Sequence, residues 1–181
     1  MRAVIVYESM FGNTRQIAEA IGEGLGGAPD VQVLRSDLAT DLTSRTIDLV
    51  VVGAPTHAWG LPRVNTRRGT REYVRKARGE LTLEPGADAL PGVREWLASL
   101  ATLEAFGAAF DTRFRAPAMF TGRASKVIGT ELVKHGRTLV AAPERFLVDR
   151  QHHLIDGELA RARAWGEHLR YQTLERAGVS H

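Results

Sequence analysis

Val4, Ile5, Val6 and Tyr7 form a β-rich apolar run with no helical spacing, as a strand buried on both faces would. A polar, glycine-containing loop follows. Ile17, Ala18, Ile21 and Leu25 then recur at helical spacing until Gly26 and Gly27 stop the helix. This strand, loop and helix at the start of the chain constrain the rest, because a strand with both faces covered needs parallel neighbours reached by helical crossovers. Val31 to Leu34 read as a second strand and Leu49 to Val52 as a third, ending at Gly53 and Pro55. A helix with the face Val93, Trp96, Leu97 and Leu100 precedes a fourth strand over Gly107 to Asp111. Ala124, Val127, Ile128 and Leu132 mark a helix closed by Gly136. Thr138 to Ala142 and Phe146 to Val148 read as a fifth strand interrupted at Pro143. The last helix starts near Asp156 and is expected to bury Leu159, Ala162, Trp165 and Leu169. Five strands alternating with helices give an α/β doubly wound fold with right-handed crossovers.

Composition narrows the chemistry. A chain of 181 residues, 44% hydrophobic and 25% charged, is expected to form one soluble domain with a sizeable core, here 1–181 with an irregular, helical, Arg-rich insertion at about 61–106. There is no cysteine, so disulfides, Cys-ligated zinc, iron–sulfur clusters and thiol nucleophiles are excluded. Electron chemistry would then belong to a bound organic cofactor or a non-thiol metal. The six histidines show no metal-binding spacing, and His152 and His153 read as surface residues. Met1 to Ser9 hold only a short apolar run, so no cleaved signal or membrane anchor is expected and the default location is the cytoplasm. The net charge of +3 is too small to indicate nucleic acid, and no membrane partner is expected.

In doubly wound folds ligands sit beyond the carboxyl ends of the strands, so the loops after strands one, three and four carry the functional argument. The first supplies the hydroxyls of Ser9 and Thr14, the Asn13 amide and a flexible Gly12 beside a helix amino terminus, with Met10 and Phe11 between them. Free N–H groups and the positive helix end favour a phosphate there. The loop lacks the Gly-Lys-Ser/Thr of a triphosphate cradle, so a monophosphate fits better than ATP or GTP. As a lone capping residue, Asn13 or Thr14 would do no more than start the helix. Gly22-x-Gly24-x-x-Gly27 matches a dinucleotide fingerprint as a pattern, but it lies at the end of a helix and reads as chain punctuation.

The string Ile5-Val6-Tyr7-x-Ser9-x-x-Gly12-x-Thr14-x-x-x-Ala18-x-x-Ile21 resembles the FMN-phosphate signature of the flavodoxin family at every specified position, and Met10 to Thr14 also resembles the flavodoxin-like domain of flavodiiron proteins. The resemblance implies a five-stranded parallel sheet in the order 2-1-3-4-5 and noncovalent FMN. Pro55, Thr56, His57, Ala58, Trp59 and Gly60 are similar to the family's loop over one face of the isoalloxazine, with Trp59 stacking and Gly60 near the N5 edge. His57 reads either as a contact to flavin or substrate or as a loop histidine in water. Asp111, Thr112, Arg113 and Phe114 stand where the family places its other flavin loop, although the family often has Tyr and small residues there. The family's usual acidity is missing, and Arg63 close to Trp59 and Gly60 is expected to make the second reduction step less negative.

Arg63 to Arg78 hold seven cations and one acid, Glu72. Arg67, Arg71 and Arg75, at four-residue spacing, would repel by about 0.2–0.5 kcal/mol per pair if helical. The stretch suits an acidic redox partner protein or an NAD(P)H reductase, or simply pairs with acids of the same chain. Three readings follow: a flavodoxin-like electron carrier, an FMN-dependent NAD(P)H:quinone-type oxidoreductase, and a cofactor-free binding module. A phosphoacceptor receiver is disfavoured because the third strand ends in Val52-Gly53-Ala54 without aspartate.

Overall fold

The computed structural model describes all residues except 41, 43–45, 57–59, 64–68, 71, 73, 77–80, 88, 101–104, 116–121 and 179–181. In chain order the elements are β1 (Ala3–Tyr7), α1 (Asn13–Leu25), β2 (Val31–Arg35), β3 (Leu49–Pro55), α2 (Val93–Ala98), β4 (Phe106–Phe114), α3 (Ala124–Lys134), β5 (Glu144–Val148) and α4 (Glu158–Arg176). All strand pairs are parallel, in the order β2-β1-β3-β4-β5. The expected doubly wound sheet is present, with that strand order.

Side chains alternate across the pleat, and the two faces build separate cores. Ile5, Leu49, Val51, Ala108, Phe110 and Phe146 face α1 and α4. Val4, Val6, Val50, Val52 and Ala109 face α2 and α3. The first face has an unusually close helix contact. A Cβ on Gly24 of α1 would lie 2.0 Å from the Arg163 carbonyl oxygen of α4, and one on Gly166 would lie 2.3 Å from that of Ile21. Gly24 is therefore a packing residue, which explains the glycine pattern better than punctuation alone.

Three sequence expectations are corrected. β4 runs on to Phe114, so Asp111 to Phe114 are strand, paired in register with Arg145 to Val148 of β5. Their mixed polarity resembles a loop only until the flanking strands supply ladder partners. The interrupted fifth strand is reduced to Glu144–Val148, while Leu139 makes a single bridge to Gly107. Pro143, which lacks an N–H donor, separates the two pieces. Finally, Leu159 is 42% exposed, because the buried stripe of α4 is Glu158, Ala162, Trp165, Leu169 and Thr173. The Glu158 carboxylate occupies the place expected for leucine and accepts the Leu147 N–H at 3.0 Å.

Among the described residues no helix is long and apolar enough to cross a membrane, and no cluster of three His, Asp or Glu residues could hold a metal.

Candidate functional site

β1 delivers the chain to the carboxyl edge of the sheet between β2 and β3, with Tyr7 in register with Arg35 and Gly53. Glu8 is buried, and its Oε2 accepts the Val93 N–H at 2.9 Å, which anchors the start of α2. Ser9 Oγ accepts the Gly12 N–H at 3.1 Å and closes a tight turn. Gly12 has φ +85°, a left-handed conformation that an L side chain would strain, and α1 begins at the next residue. Its carbonyl accepts the first helical bond, from the Gln16 N–H at 3.0 Å. The N–H groups of Asn13, Thr14 and Arg15 have no partner inside the helix and meet no acceptor among the described residues. No acid occupies the first turn of α1, so its positive end is not offset by a carboxylate there. Arg15 instead turns its guanidinium to Glu19 and Glu84.

Thr14 is 1% exposed, and its hydroxyl lies 2.7 Å from that of Thr112 on β4. The Thr112 carbonyl accepts the Thr56 N–H at 2.9 Å. One residue of β4 thus ties the loop after β1 to the loop after β3. Asn13 donates from Nδ2 to the His152 carbonyl at 2.6 Å, so its amide holds the β5–α4 connection.

The two outward directions of β4 separate the four residues that the sequence groups together. Thr112 and Phe114 lie on the α1 side, whereas Asp111 and Arg113 lie toward α3. Asp111 is fully buried, and its Oδ2 accepts the Ser125 N–H at 2.8 Å in the first turn of α3. Oδ1 is buried without a hydrogen bond. Burial is the main cause that raises the Asp111 pKa, opposed by the Ser125 bonds and the Arg113 charge. Thr56 Oγ1 accepts the neighbouring Ala124 N–H at 3.1 Å. Arg113 is buried and donates to the Gly122 carbonyl at 3.2 Å. Asp111 and Arg113 thus secure α3 and the segment before it, and this is the work the structure gives them in place of lining a loop.

Pro55 closes β3, while His57, Ala58 and Trp59 lie outside the described residues. A Cβ on Gly60 would meet nothing within 4 Å among the described atoms. Arg67 and Arg71 of the basic stretch also lie outside the described residues; Arg75 is exposed, and Lys76 pairs with Glu72 at 3.1 Å.

Two contributors escape a sequence reading. Arg94 of α2 donates to the carbonyls of Leu61 (2.9 Å) and Pro62 (3.3 Å), clamping the chain just past the Trp59 loop. His152 is half-buried, and its ring lies 4.5 Å from that of Phe11 and 5.0 Å from that of Phe114. Burial chiefly lowers its pKa, with Asp149 acting in the opposite sense. The surface reading of His152 is therefore corrected. The loop after β5 reaches the same sheet edge as the others, and considering it alongside the loops after β1, β3 and β4 would have found this residue.

The family model described as a flavodoxin domain matches residues 4–87, which include β1, the Ser9 to Thr14 loop and β3. The fold is flavodoxin-like. Solved structures with the same fold include a flavodoxin from the domain Archaea, 21% identical with a TM-score of 0.62, covering 96% of this chain and 99% of that one. Flavodoxin 2 from Bacillus cereus is 16% identical with a TM-score of 0.64, covering 95% and 99% respectively. Rubredoxin oxygen:oxidoreductase from Desulfovibrio gigas is 17% identical with a TM-score of 0.57, and the match spans 97% of this chain but only 37% of that larger one. At these identities the structural likeness establishes the fold alone. No curated protein sequence matches. The flavodoxin-like fold places the Ser9 to Thr14 turn at the crevice where the winding of the sheet reverses.

Proposed function

We propose that this flavodoxin-like chain binds FMN noncovalently and carries electrons between redox partners. The observation that supports the reading most is the turn at the start of α1. Three N–H groups without an acceptor among the described residues, a left-handed Gly12 and the Ser9 and Thr14 hydroxyls gather at a helix end with no acid in its first turn. The residues fit a phosphate monoester sterically, because a Cβ at Gly12 would meet only the ends of the Arg15 and Gln16 side chains, at 3.8–3.9 Å. They also fit it electrically, since neutral donors and a helix dipole recognise an anion with little desolvation penalty.

In this reading Ser9, Gly12, Thr14 and the N–H groups of Asn13 and Arg15 hold the phosphate. Thr112 fixes the Thr14 hydroxyl, Thr56 stands beside the ribityl chain, Trp59 covers one ring face and Phe114 stands toward the other. Met10, Phe11, Pro55, His57, Ala58 and Gly60 shape the walls, and Asp111 and Arg113 support the site from the α3 side. FMN supplies the electron chemistry when bound, and the chain holds, orients and shields it. The cations from Arg63 to Arg78 would receive an acidic redox partner.

Stepwise anaerobic reduction of the purified protein, followed in the visible range, tests the carrier. One equivalent of flavin reduced in two separated one-electron stages, without NAD(P)H turnover, is the expected result. Rapid NAD(P)H oxidation with a quinone would assign the oxidoreductase instead, and a colourless protein that ignores added FMN would leave only the binding module.

A further inference from the structure

The insertion between β3 and β4 returns to the cofactor turn at Glu84, which touches the turn on both sides. On the entry side its N–H donates to the Met10 carbonyl at 2.8 Å. On the exit side its Oε1 accepts the Arg15 Nε–H in the first turn of α1. Phe11, Gly12, Asn13 and Thr14 lie between these two anchors. We propose that Glu84 is a positioning residue, which brackets the turn and keeps the N–H groups of Asn13, Thr14 and Arg15 in the arrangement that receives a phosphate. The inference rests on the FMN reading above and adds to it a residue far outside the signature.

A bracket works only if it is itself held. Pro85 and the left-handed Gly86, φ +80°, form the middle of a tight turn closed by the Ala87 N–H, which donates to the Glu84 carbonyl at 2.9 Å. Ala87 is buried. Arg35, at the end of β2, donates from Nη1 to the Pro85 carbonyl at 2.7 Å, and Asp37 fixes the same guanidinium through two further bonds. Glu84 is thus presented from a rigid turn clamped to the sheet. A free cofactor turn would lose conformational freedom when a phosphate arrives, whereas a turn already fixed at both ends loses it on folding.

Charge alone does not account for the pair. Arg15 also reaches Glu19 at 2.8 Å, so two carboxylates outnumber one guanidinium beside the turn, and their balance repels a phosphate. The Glu84 side chain is only 13% exposed, and its Oε2 is buried without a hydrogen bond. A half-satisfied buried carboxylate costs stability and opposes a nearby anion. What Glu84 contributes to the site is therefore the place in which it holds Met10 and Arg15.

Two measurements on full-length variants test the bracket. In the cofactor-free protein, Glu84→Ala should speed amide exchange at Gly12 and Gln16 roughly tenfold, because their bonds to Ser9 Oγ and the Gly12 carbonyl shape the turn. The Ile21 amide, in the middle of α1, should keep the parent rate. Equal acceleration of all three would reduce Glu84 to a contributor to overall stability and overturn the proposal. In calorimetric titrations Glu84→Ala should weaken FMN roughly tenfold and leave riboflavin within about twofold. Glu84→Gln keeps the acceptor and the length without the charge, and should bind FMN at least as tightly as the parent. Gly86→Ala strains the supporting turn without touching Arg15 or Met10, and should weaken FMN roughly threefold. Tighter FMN binding by Glu84→Ala would mean that the released Arg15 reaches the phosphate, and would overturn the bracket, as would equal losses for FMN and riboflavin. Selective exchange at Gly12 and Gln16 with no binding of either ligand would keep the bracket and remove the cofactor reading. FMN binding indifferent to Glu84→Ala would do the reverse, so the two fail separately.

Discussion

On one side of β4, Thr112 and Phe114 reach the turn before α1 and the His152 ring. On the other, Asp111 and Arg113 reach the start of α3 and Gly122. The two directions differ in chemistry as well as in place. The α1 side presents neutral hydroxyls and aromatic rings next to unpartnered N–H groups, while the α3 side buries a carboxylate and a guanidinium as structural ties. The pleat thus divides the sheet edge into a half of hydroxyls and rings and a half tied by buried charges. Four consecutive residues serve both because side chains alternate along a strand.

The largest expected effect contrasts the helix contacts on the two sides. Gly166→Val pushes α4 off α1, where even a Cβ would lie 2.3 Å from a backbone carbonyl oxygen, and should cost about 3 kcal/mol in urea unfolding. Gly129→Ala on α3 meets side chains and no backbone, with Pro143 Cγ at 3.1 Å, Leu139 Cδ1 at 3.3 Å and Ala109 Cβ at 3.9 Å, and helix propensity favours alanine, so it should cost about 1 kcal/mol or less. Equal costs would erase the distinction between a backbone-tight side and a side-chain-tight side.

Asp111 gives the next effect. Asp111→Ala removes the acceptor for the Ser125 N–H and should cost about 1–2 kcal/mol. Asp111→Asn keeps an acceptor of the same size and removes the buried charge, so near pH 7 it should be at least as stable as the parent. The pH dependence has a definite sign. The folded pKa of Asp111 lies above its unfolded value, so the folded state binds the proton more tightly. Its contribution is therefore fully present below the unfolded value and is lost as pH rises through the folded one. Asp111→Asn should lack that loss, and the difference in stability between the two proteins should widen in favour of the variant from acid toward neutral pH. A constant difference would show that the carboxyl group is not desolvated.

The smallest effect concerns the hydroxyl pair. Thr112→Val strands the buried Thr14 hydroxyl and should cost about 1 kcal/mol, whereas the double change Thr14→Val with Thr112→Val should recover most of it, since an unmatched polar group costs more than a matched apolar pair. Thermal unfolding of the three variants reads this directly. FMN affinity should fall further in the double variant than in Thr112→Val, opposite to the order in stability.

What the sequence discloses follows how locally each feature is encoded. The Ser9 to Thr14 turn is contiguous and bounded by a strand run and a helical stripe, so its place can be read directly, while the left-handed conformation of Gly12 comes from the structure. The strand order follows from the family resemblance, and the cores follow from the two periodicities. The end of β4 is misread because Asp-Thr-Arg-Phe is polar enough for a loop, and only the β3 and β5 ladders make it strand. Leu159 is misplaced because the buried stripe of α4 begins at a carboxylate, which no hydrophobic periodicity marks. His152 meets Phe11, Asn13 and Phe114 from three other parts of the chain, and Gly24 meets α4 across more than a hundred residues, so neither contact leaves a local pattern.

The central claim is that the start of α1 grips a phosphate monoester, and paired calorimetric titrations of the cofactor-free protein with FMN and with riboflavin test it most directly. The two ligands differ only in that phosphate. Stoichiometric FMN binding, tighter than riboflavin by roughly a hundredfold or more, is the result this account expects. Equal affinities, or no binding of either, would contradict it.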